Sequence, residues 1–450
     1  MKFASIFLWP CTTLLFLLGI MVSPAAAVDS FPEYSCLQAN VAFWKKVYAQ
    51  YPSNKGLIHD RQNLGIIYET INLAGDGSRQ SVQANECLVE AVKEKYRRIL
   101  LSLALKGAPS SPEEKRVAGL FGATVKADTL RQAAEDIRFQ RCLSDRFRAG
   151  VARSGRYLGQ IKDIFIQYGL PSDLAYLPHV ESSFDYQAYS KAGAAGIWQL
   201  MPATGRRFLT ISPTLDERRD PILATHAAAK YLQGNYRKLQ NWPLALTAYN
   251  HGLTAMLRAR NSLGIYEKIF KGYDGARFGF ASQNFYAEFL AAREIAKNYR
   301  QHFKDLRVDD PVRTGQFTVN SRTGIRELAR HFQVDLNTLA GLNPALLKSV
   351  WDGRRPVPKG YRLCLPKGVA IDSRLANLPP PTSPVKQRGS QSHRVKRGET
   401  ISKIAQRYGI TSKSLIASNQ LGQRALIRVG QSLQIPSSSA KSKGKKLVVR

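Results

Sequence analysis

A carboxylate set among apolar residues is the group in this chain best suited to chemistry. Glu181 lies in the run LPHVESSF at 177–184, and a glutamate is rarely buried without a charged partner. Poor hydration favours the neutral form of a carboxyl group, raising its pKa and making it a proton donor. The alternative for an isolated glutamate is a surface charge at a helix end. The segments that follow, GAAG at 193–196 and IWQLMP at 197–202, favour the first interpretation.

Three segments occur in a fixed order along the middle of the chain: ESSF at 181–184, GAAGIWQLMPATG at 193–205 and AYNHG at 248–252. Together they resemble the motifs of the lytic murein transglycosylases with a goose-lysozyme-like fold, and among these the membrane-bound D type. The resemblance runs from about residue 137 to about residue 299, and three ordered motifs are far more specific than one short pattern.

The resemblance implies roles for several residues. Glu181 corresponds to the catalytic acid/base, and Tyr249 and Asn250 line the saccharide cleft. Gln199 is a neutral amide that can bind sugar hydroxyl and acetamide groups, and Ser183 either bonds near the reacting sugar or caps a turn. Trp198 is interpreted as a core residue.

A further family motif places a tyrosine on a late helix facing the acid. This chain reads QNFYAE at 283–288, so that Phe285 aligns with the family tyrosine and Tyr286 stands beside it. We assign Tyr286 to the substrate-binding set. Which of the two rings faces the cleft is left open.

The reaction that the resemblance implies needs one carboxyl group, no metal and no cofactor. Glu181 protonates the glycosidic oxygen between N-acetylmuramic acid and N-acetylglucosamine, then deprotonates the muramic C6 hydroxyl, which closes a 1,6-anhydro ring. Two alternatives stay open. A hydrolytic muramidase would activate water with a second acid, for which Asp185 is the nearest candidate. A non-catalytic peptidoglycan-binding scaffold would need no acid at 181.

The elements that must position these residues are predicted to be mainly α-helical. We expect a helical N-terminal region at 28–150 and a lysozyme-like helical domain at 151–304. Pro178 predicts a kink or a very short helix before Glu181, with Ser172 as its cap. Within the N-terminal region two sets of residues recur at helical intervals: Leu64, Ile67 and Tyr68, and Leu88, Val92 and Tyr96.

An internal repeat organises the C-terminal third. Residues 393–436 resemble the LysM peptidoglycan-binding module, and residues 313–367 repeat the pattern in degenerate form, with Asn343 in the role of Asn419. Each copy is a small α+β module of order strand, helix, helix, strand (βααβ). A Pro/Ser linker at 371–392 separates the copies, and a basic disordered tail follows at 437–450.

The charge predicts a polyanionic partner outside the cytoplasm. Lys and Arg total 66 against 33 acidic residues, giving a net charge of +33. Residues 1–27 read as a secretory signal peptide, with a retained membrane anchor as the alternative. We therefore expect a protein of the bacterial periplasm or cell envelope. Its partner would be peptidoglycan glycan strands, not nucleic acid, with a loose association with the membrane or envelope, and its oligomeric state is not predicted.

Four cysteines follow the predicted signal peptide: Cys36, Cys87, Cys142 and Cys364. They form no CxxC or metal-binding pattern. In an oxidising compartment they could pair in three ways, of which Cys36 with Cys87 is plausible, and buried free thiols are the alternative.

Overall fold

The computed structural model describes residues 29–75, 77–122, 125–369, 392–419, 421 and 426–436. The predicted signal peptide at 1–27, the linker at 371–392 apart from its last residue, and the tail at 437–450 lie outside this part of the chain. Within the described residues, no helix combines the length and apolarity needed to cross a bilayer. The fold is mainly helical, as the sequence predicts.

The N-terminal third combines helices with a small antiparallel sheet. Its strands run in the order β2-β1-β3, and both β2 and β3 pair with β1. The elements are α1 (Gln38–Lys45), a π-helical turn (Lys46–Gln50), β1 (Lys55–Asp60), β2 (Ile67–Asn72), α2 (Arg79–Lys106), α3 (Pro112–Gly119), α4 (Ala127–Glu135) and β3 (Ile137–Arg141).

The sheet corrects part of the sequence prediction. The spacing of Leu64, Ile67 and Tyr68 predicts a helix, but Ile67 and Tyr68 lie in β2. Short apolar runs fit a strand as well as a helix. Pairing decides between them here, because β2 pairs with β1 and the other edge of β1 is held by β3, which lies far along the chain. The second predicted helix is confirmed, since Leu88–Tyr96 falls inside α2.

The central third is helical and shares one hydrophobic core with the start of the chain. Phe31, Leu37 and Phe43 pack into the same core as the central helices, and Asn40 of α1 donates to Asn284 at 2.7 Å. The helices are α5 (Ser144–Ser154), α6 (Leu158–Gln167), α7 (Leu177–Glu181), α8 (Pro202–Gly205), α9 (Pro221–Leu239), α10 (Trp242–His251), α11 (Leu253–Leu263), α12 (Tyr266–Gly272), α13 (Phe280–Lys297) and α14 (Tyr299–His302). Short 3-10 helices lie at Ser35–Leu37, Ser172–Tyr176 and Glu217–Arg219.

Both C-terminal repeats have the predicted strand, helix, helix, strand order. The first comprises β4 (Thr314–Thr318), α15 (Ile325–Phe332), α16 (Leu336–Leu342), an added α17 (Lys348–Trp351) and β5 (Arg362–Pro366). The second comprises β6 (Ser392–Arg394), α18 (Ile401–Arg407), α19 (Ser412–Ser418) and β7 (Ser432–Gln434).

One asparagine joins helix to strand in each repeat, and the two stand at the corresponding positions that the sequence predicts. Asn343 donates to the carbonyls of Leu339 and Cys364 and accepts from the Cys364 N–H. In the second copy, Asn419 makes the same three bonds, with Leu415 and Gln434 as partners. The equivalence confirms the internal repeat at the level of hydrogen bonds.

The first repeat is docked on the central domain. Leu215 belongs to its hydrophobic core and forms a β-bridge with Leu346. The N–H of Asp216 donates to the Ala345 carbonyl at 2.8 Å, and the N–H of Leu347 donates to the Thr214 carbonyl at 2.9 Å. Backbone pairing plus a shared core fixes this module against the helices that precede it.

All four described cysteines are free thiols. Cys36 packs at the edge of the central core, whereas Cys87 is exposed on α2, which packs in the separate core of the sheet. The Cys36–Cys87 pairing weighed from the sequence is therefore absent, because the two residues belong to different packing units.

We predict that Asn343→Ala locally destabilises the first repeat by about 2–3 kcal/mol, because it leaves buried backbone groups of β5 without partners. Native-state hydrogen exchange of the β5 amides measures the loss. Asn419→Ala is the matched change in the second repeat, where the side chain is less buried, and its effect should be smaller. Unchanged β5 exchange in the Asn343 variant would contradict the prediction.

Candidate active site

Glu181 is the last residue of α7, a helix of only five residues that directly follows a 3-10 helix. Pro178 stands in the first turn of α7, where its missing N–H costs nothing. The predicted very short helix before the acid is thus confirmed. The predicted cap is wrong, because Ser172 lies inside the 3-10 helix and no side chain caps that helix.

The carboxyl group of Glu181 lies in apolar surroundings. Its side chain is half-buried, and burial raises its pKa to about 8, with the negative charge of Glu288 as the second cause. Among the described residues, no hydrogen-bond donor contributes to this pKa. The neutral form of this carboxyl group is therefore favoured at pH 7, which is the form that its sequence context predicts.

Glu288 on α13 is a second carboxyl group that the sequence analysis missed. Burial raises its pKa to about 7, and a hydrogen bond from the Tyr48 hydroxyl, at 3.2 Å, acts in the opposite direction. Tyr48 is buried in the π-helical turn, and its ring stacks on Phe147 at 5.0 Å. Phe147 in turn stacks on His179 of α7, which connects the two carboxyl groups through packed rings.

A sequence signal for Glu288 did exist. It stands in the run FYAEFLAA at 285–292, a carboxylate among apolar residues like Glu181. Tyr48 carried no comparable signal, because its place in the site follows from the packing of α1 against α13.

Tyr249 lies beside Glu181 and holds the loop that carries Gln199. Its hydroxyl donates to the Trp198 carbonyl at 2.6 Å, and burial together with the Glu181 charge raises its pKa. Trp198 is fully buried and donates from its indole nitrogen to Thr225, so it fills the core as predicted. Gln199 has a φ of +43° and donates to the Gly196 carbonyl at 2.8 Å.

The turn after Glu181 adopts an unusual backbone conformation. Ser183 and Phe184 have φ values of +50° and +56°, in the left-handed region that non-glycine residues seldom enter. The Ser183 carbonyl accepts from Arg153 at 2.6 Å, and the Ser182 hydroxyl donates to the Ile197 carbonyl at 3.0 Å. These bonds hold a strained turn next to Glu181. Backbone strain of this kind commonly concentrates at functional sites.

Two predicted polar residues lie further out. Asn250 is exposed, and its side-chain oxygen accepts from Ser282 at 3.0 Å. Asp185 is also exposed, accepts from the Gln187 N–H and does not contribute to the pKa of Glu181. The structure therefore moves the second carboxyl group of the site from Asp185 to Glu288.

Tyr286 does not face Glu181. Its side chain is fully buried, its ring lies 5.3 Å from Tyr266, and its hydroxyl donates to the Pro32 carbonyl at 2.9 Å. The assignment of Tyr286 to the substrate-binding set is wrong, because the N-terminal segment covers it. Phe285 is also buried and has no polar group to offer.

Arg218 fixes the small-residue loop at 193–196. It is buried, pairs with Asp216 at 2.7 Å, and donates to the carbonyls of Gly193 and Leu200. Gly196 has a φ of +73°, and a Cβ there would lie 1.9 Å from the Arg218 carbonyl oxygen. The close approach at Gly196 is therefore tight packing within the protein. Asp220 caps α9.

We predict that Gly196→Ala lowers the free energy of unfolding by about 2–4 kcal/mol, because it combines a left-handed conformation with a backbone clash. Urea denaturation measures the change. Gly234→Ala is the control, since Gly234 lies in α9 with open space around it and the change should stabilise by about 0.5–1 kcal/mol. Equal stability of the two variants would contradict this account.

Comparison with known families identifies two parts of the chain. The profile of the transglycosylase SLT domain matches residues 166–269, which include Glu181, Gln199 and Tyr249, and the LysM domain profile matches residues 393–436. The chain contains an SLT transglycosylase domain and a LysM domain. The SLT match ends before α13, so Glu288 lies outside it, and Tyr48 precedes it.

Individual relatives agree with these domains. The chain is 28% identical to "Membrane-bound lytic murein transglycosylase D" of Escherichia coli over 292 residues, 63% of this chain and 63% of that protein. It is 37% identical over 114 residues to a "Putative tributyltin chloride resistance protein" of an Alteromonas species, covering 25% of this chain and 55% of that protein. The chain thus spans less than two thirds of the length of these relatives.

A solved structure of the lytic transglycosylase Slt from Pseudomonas aeruginosa matches 32% of this chain and 24% of its own chain, at 21% identity and a TM-score of 0.26. So low a TM-score supports no conclusion about the site.

Proposed function

We propose that this protein is a lytic transglycosylase of peptidoglycan. It would cleave the β-1,4 bond between N-acetylmuramic acid and N-acetylglucosamine and leave 1,6-anhydromuramic ends. The observation that carries the proposal is Glu181, a neutral carboxyl group with a pKa of about 8, set in the part of the chain that matches the SLT domain. A proton donor of this kind is what cleavage of a glycosidic bond requires.

In the proposed mechanism Glu181 acts twice. Its proton passes to the glycosidic oxygen as the bond to the muramic C1 breaks, and the muramic acetamido group stabilises the cationic centre. The resulting carboxylate then takes the proton of the C6 hydroxyl while the C6 oxygen closes on C1. The acid is regenerated, no water is consumed, and the energy of the cleaved bond is kept in the anhydro ring.

Neighbouring residues would orient the glycan. Gln199 and the strained turn at Ser183 flank Glu181. Tyr249 donates to the Trp198 carbonyl and so holds the loop with Gln199. Ser182 donates to the Ile197 carbonyl and so holds the turn at Ser183. Asn250, at the exposed rim, would contact sugar hydroxyl groups further along the strand. A fixed frame of this kind lowers the entropy lost when the flexible polymer is aligned.

The remaining modules would keep the enzyme at the wall. The LysM domain at 393–436 would bind glycan strands, and the net charge of +33 favours the acidic wall polymer. Export by the predicted signal peptide at 1–27 would place the protein in the periplasm or at the cell envelope. The word "membrane-bound" in the name of the E. coli relative is compatible with loose membrane association.

A hydrolytic muramidase is the second candidate, and Glu288 is the observation that favours it. Glycosidases that use water commonly have two carboxyl groups across the scissile bond. Glu288 could supply the base, whereas Asp185 is exposed and directed at its own turn. The products separate the two reactions, because the hydrolase leaves reducing ends and the transglycosylase leaves anhydro ends.

We predict that the wild-type protein, incubated with purified peptidoglycan sacculi, releases muropeptides that carry anhydro ends, detected as a mass lower by one water than the reducing product. Glu181→Gln should release less than about one thousandth as much, because the amide cannot donate the proton. Asp185→Asn is the matched control, and it should retain near wild-type release because Asp185 is exposed away from the acid. Reducing ends from the wild type would establish the hydrolase instead.

We also predict an alkaline limit to the activity. Because Glu181 must be protonated and its pKa is about 8, kcat/KM for sacculus cleavage should be retained below pH 8 and fall as the pH rises through that value. Rates measured from pH 3 to 10 at constant ionic strength test this. A fall already centred near pH 4.5 would show that the acid is not desolvated.

A further inference from the structure

Two carboxyl groups from distant parts of the chain face one site. Glu181 ends α7 and Glu288 lies on α13, and these two helices pack against each other. The negative charge of Glu288 helps to raise the pKa of Glu181. The hydroxyl of Tyr48 donates to Glu288, and the charge of Glu181 helps to raise the pKa of Tyr48. The three groups therefore form one interacting cluster, which we call the carboxyl pair and its tyrosine.

The partners of the two carboxyl groups differ. Tyr48 donates a hydrogen bond to Glu288 at 3.2 Å, and such a bond favours the ionised form of its acceptor. Among described residues, none donates to Glu181. Two nearby carboxyl groups with restricted hydration cannot both ionise readily, so one proton is kept between them. The asymmetry places that proton on Glu181 and the charge on Glu288.

The other polar groups around the pair do not reverse this order. His179 on α7 is buried and neutral, because burial lowers its pKa to about 3. The nearby positive charge of Arg153 on α5 lowers the pKa of His179 further. Tyr249 on α10 donates its hydroxyl hydrogen to the Trp198 carbonyl. Within the described part of the chain, no cation contributes to the pKa of either carboxyl group.

We propose that Glu288, held by Tyr48, is a positioning residue that keeps the catalytic proton on Glu181 until the glycan bond is broken. In this role it acts through its charge on Glu181 and not on the breaking bond. This inference rests on the proposed function and adds to it a group outside the matched SLT domain. It also explains why a tyrosine from the start of the chain is buried against the site.

The test is the pH profile of purified Glu288→Gln acting on sacculi. Removing the charge lowers the proton affinity of Glu181, so the alkaline limb of kcat/KM should move to lower pH by about 1 unit, as expected for a pair of coupled carboxyl groups. Below pH 6 the rate should stay within about threefold of wild type, because Glu181 is still protonated there. The products should remain anhydro ends.

Tyr48→Phe provides a second, milder variant in case the first does not fold. Without its hydrogen bond Glu288 holds its own proton more readily, so the alkaline limb should again move to lower pH, by a smaller amount. Tyr68→Phe is the matched control, since Tyr68 also donates to a carboxylate, Asp60, at 3.3 Å, but lies in the N-terminal sheet. Its pH profile should equal that of the wild type.

Two results would overturn the role of Glu288. A wild-type alkaline limb in both folded variants would show that its charge does not act on Glu181. Loss of activity at every pH in folded Glu288→Gln would make it a catalytic base. The proposed function is tested separately by the products, and it fails if the wild type leaves reducing ends or if Glu181→Gln remains active.

Discussion

Restricted hydration of one carboxyl group is the constraint on which this structure depends. A glutamate in water is ionised at pH 7, and surroundings that exclude water are the main reason that one stays neutral here. Here those surroundings come from segments far apart in sequence: the π-helical turn with Tyr48, α7 with Glu181, α10 with Tyr249 and α13 with Glu288. The acid is therefore a property of the assembled core, and loosening any of these contacts would let water in and return its pKa towards that of a surface glutamate.

Backbone bonds keep the neighbouring loops in place. The turn at Ser183 and the loop at Gln199 both have left-handed residues, which cost free energy unless other contacts hold them. Arg218 donates to two loop carbonyls and is itself paired with Asp216. Buried pairs of this kind add little net stability but leave few alternative arrangements. Rigidity next to Glu181 is the benefit, because proton transfer requires the donor and the acceptor to be placed within a fraction of an ångström.

The sequence predicted what is local and missed what is assembled over long distances. Glu181, the very short helix at Pro178 and the paired asparagines of the repeats follow from neighbouring residues, and the structure contains all of them. The burial of Tyr286 under Pro32 and the approach of Tyr48 to Glu288 depend on partners 254 and 240 positions away. The strand containing Ile67 belongs to a sheet that the distant strand β3 completes. Periodicity carries no information about such partners, and an apolar context around Glu288 indicated burial without indicating what it would be buried against.

The two repeats show how a shared pattern diverges when its surroundings differ. In the first, Phe317 and Phe332 pack edge to face at 4.9 Å, inside a core that includes Leu215 of the central domain. In the second, the same positions are His393 and Tyr408, joined by a hydrogen bond of 3.0 Å, and His393 also contacts Glu399 at 2.6 Å. A module with a small core has few apolar contacts to fix its strands, so a polar network can take over part of that task. The docked copy gains apolar area from its neighbour and needs no such network, which accounts for its different residues at these positions.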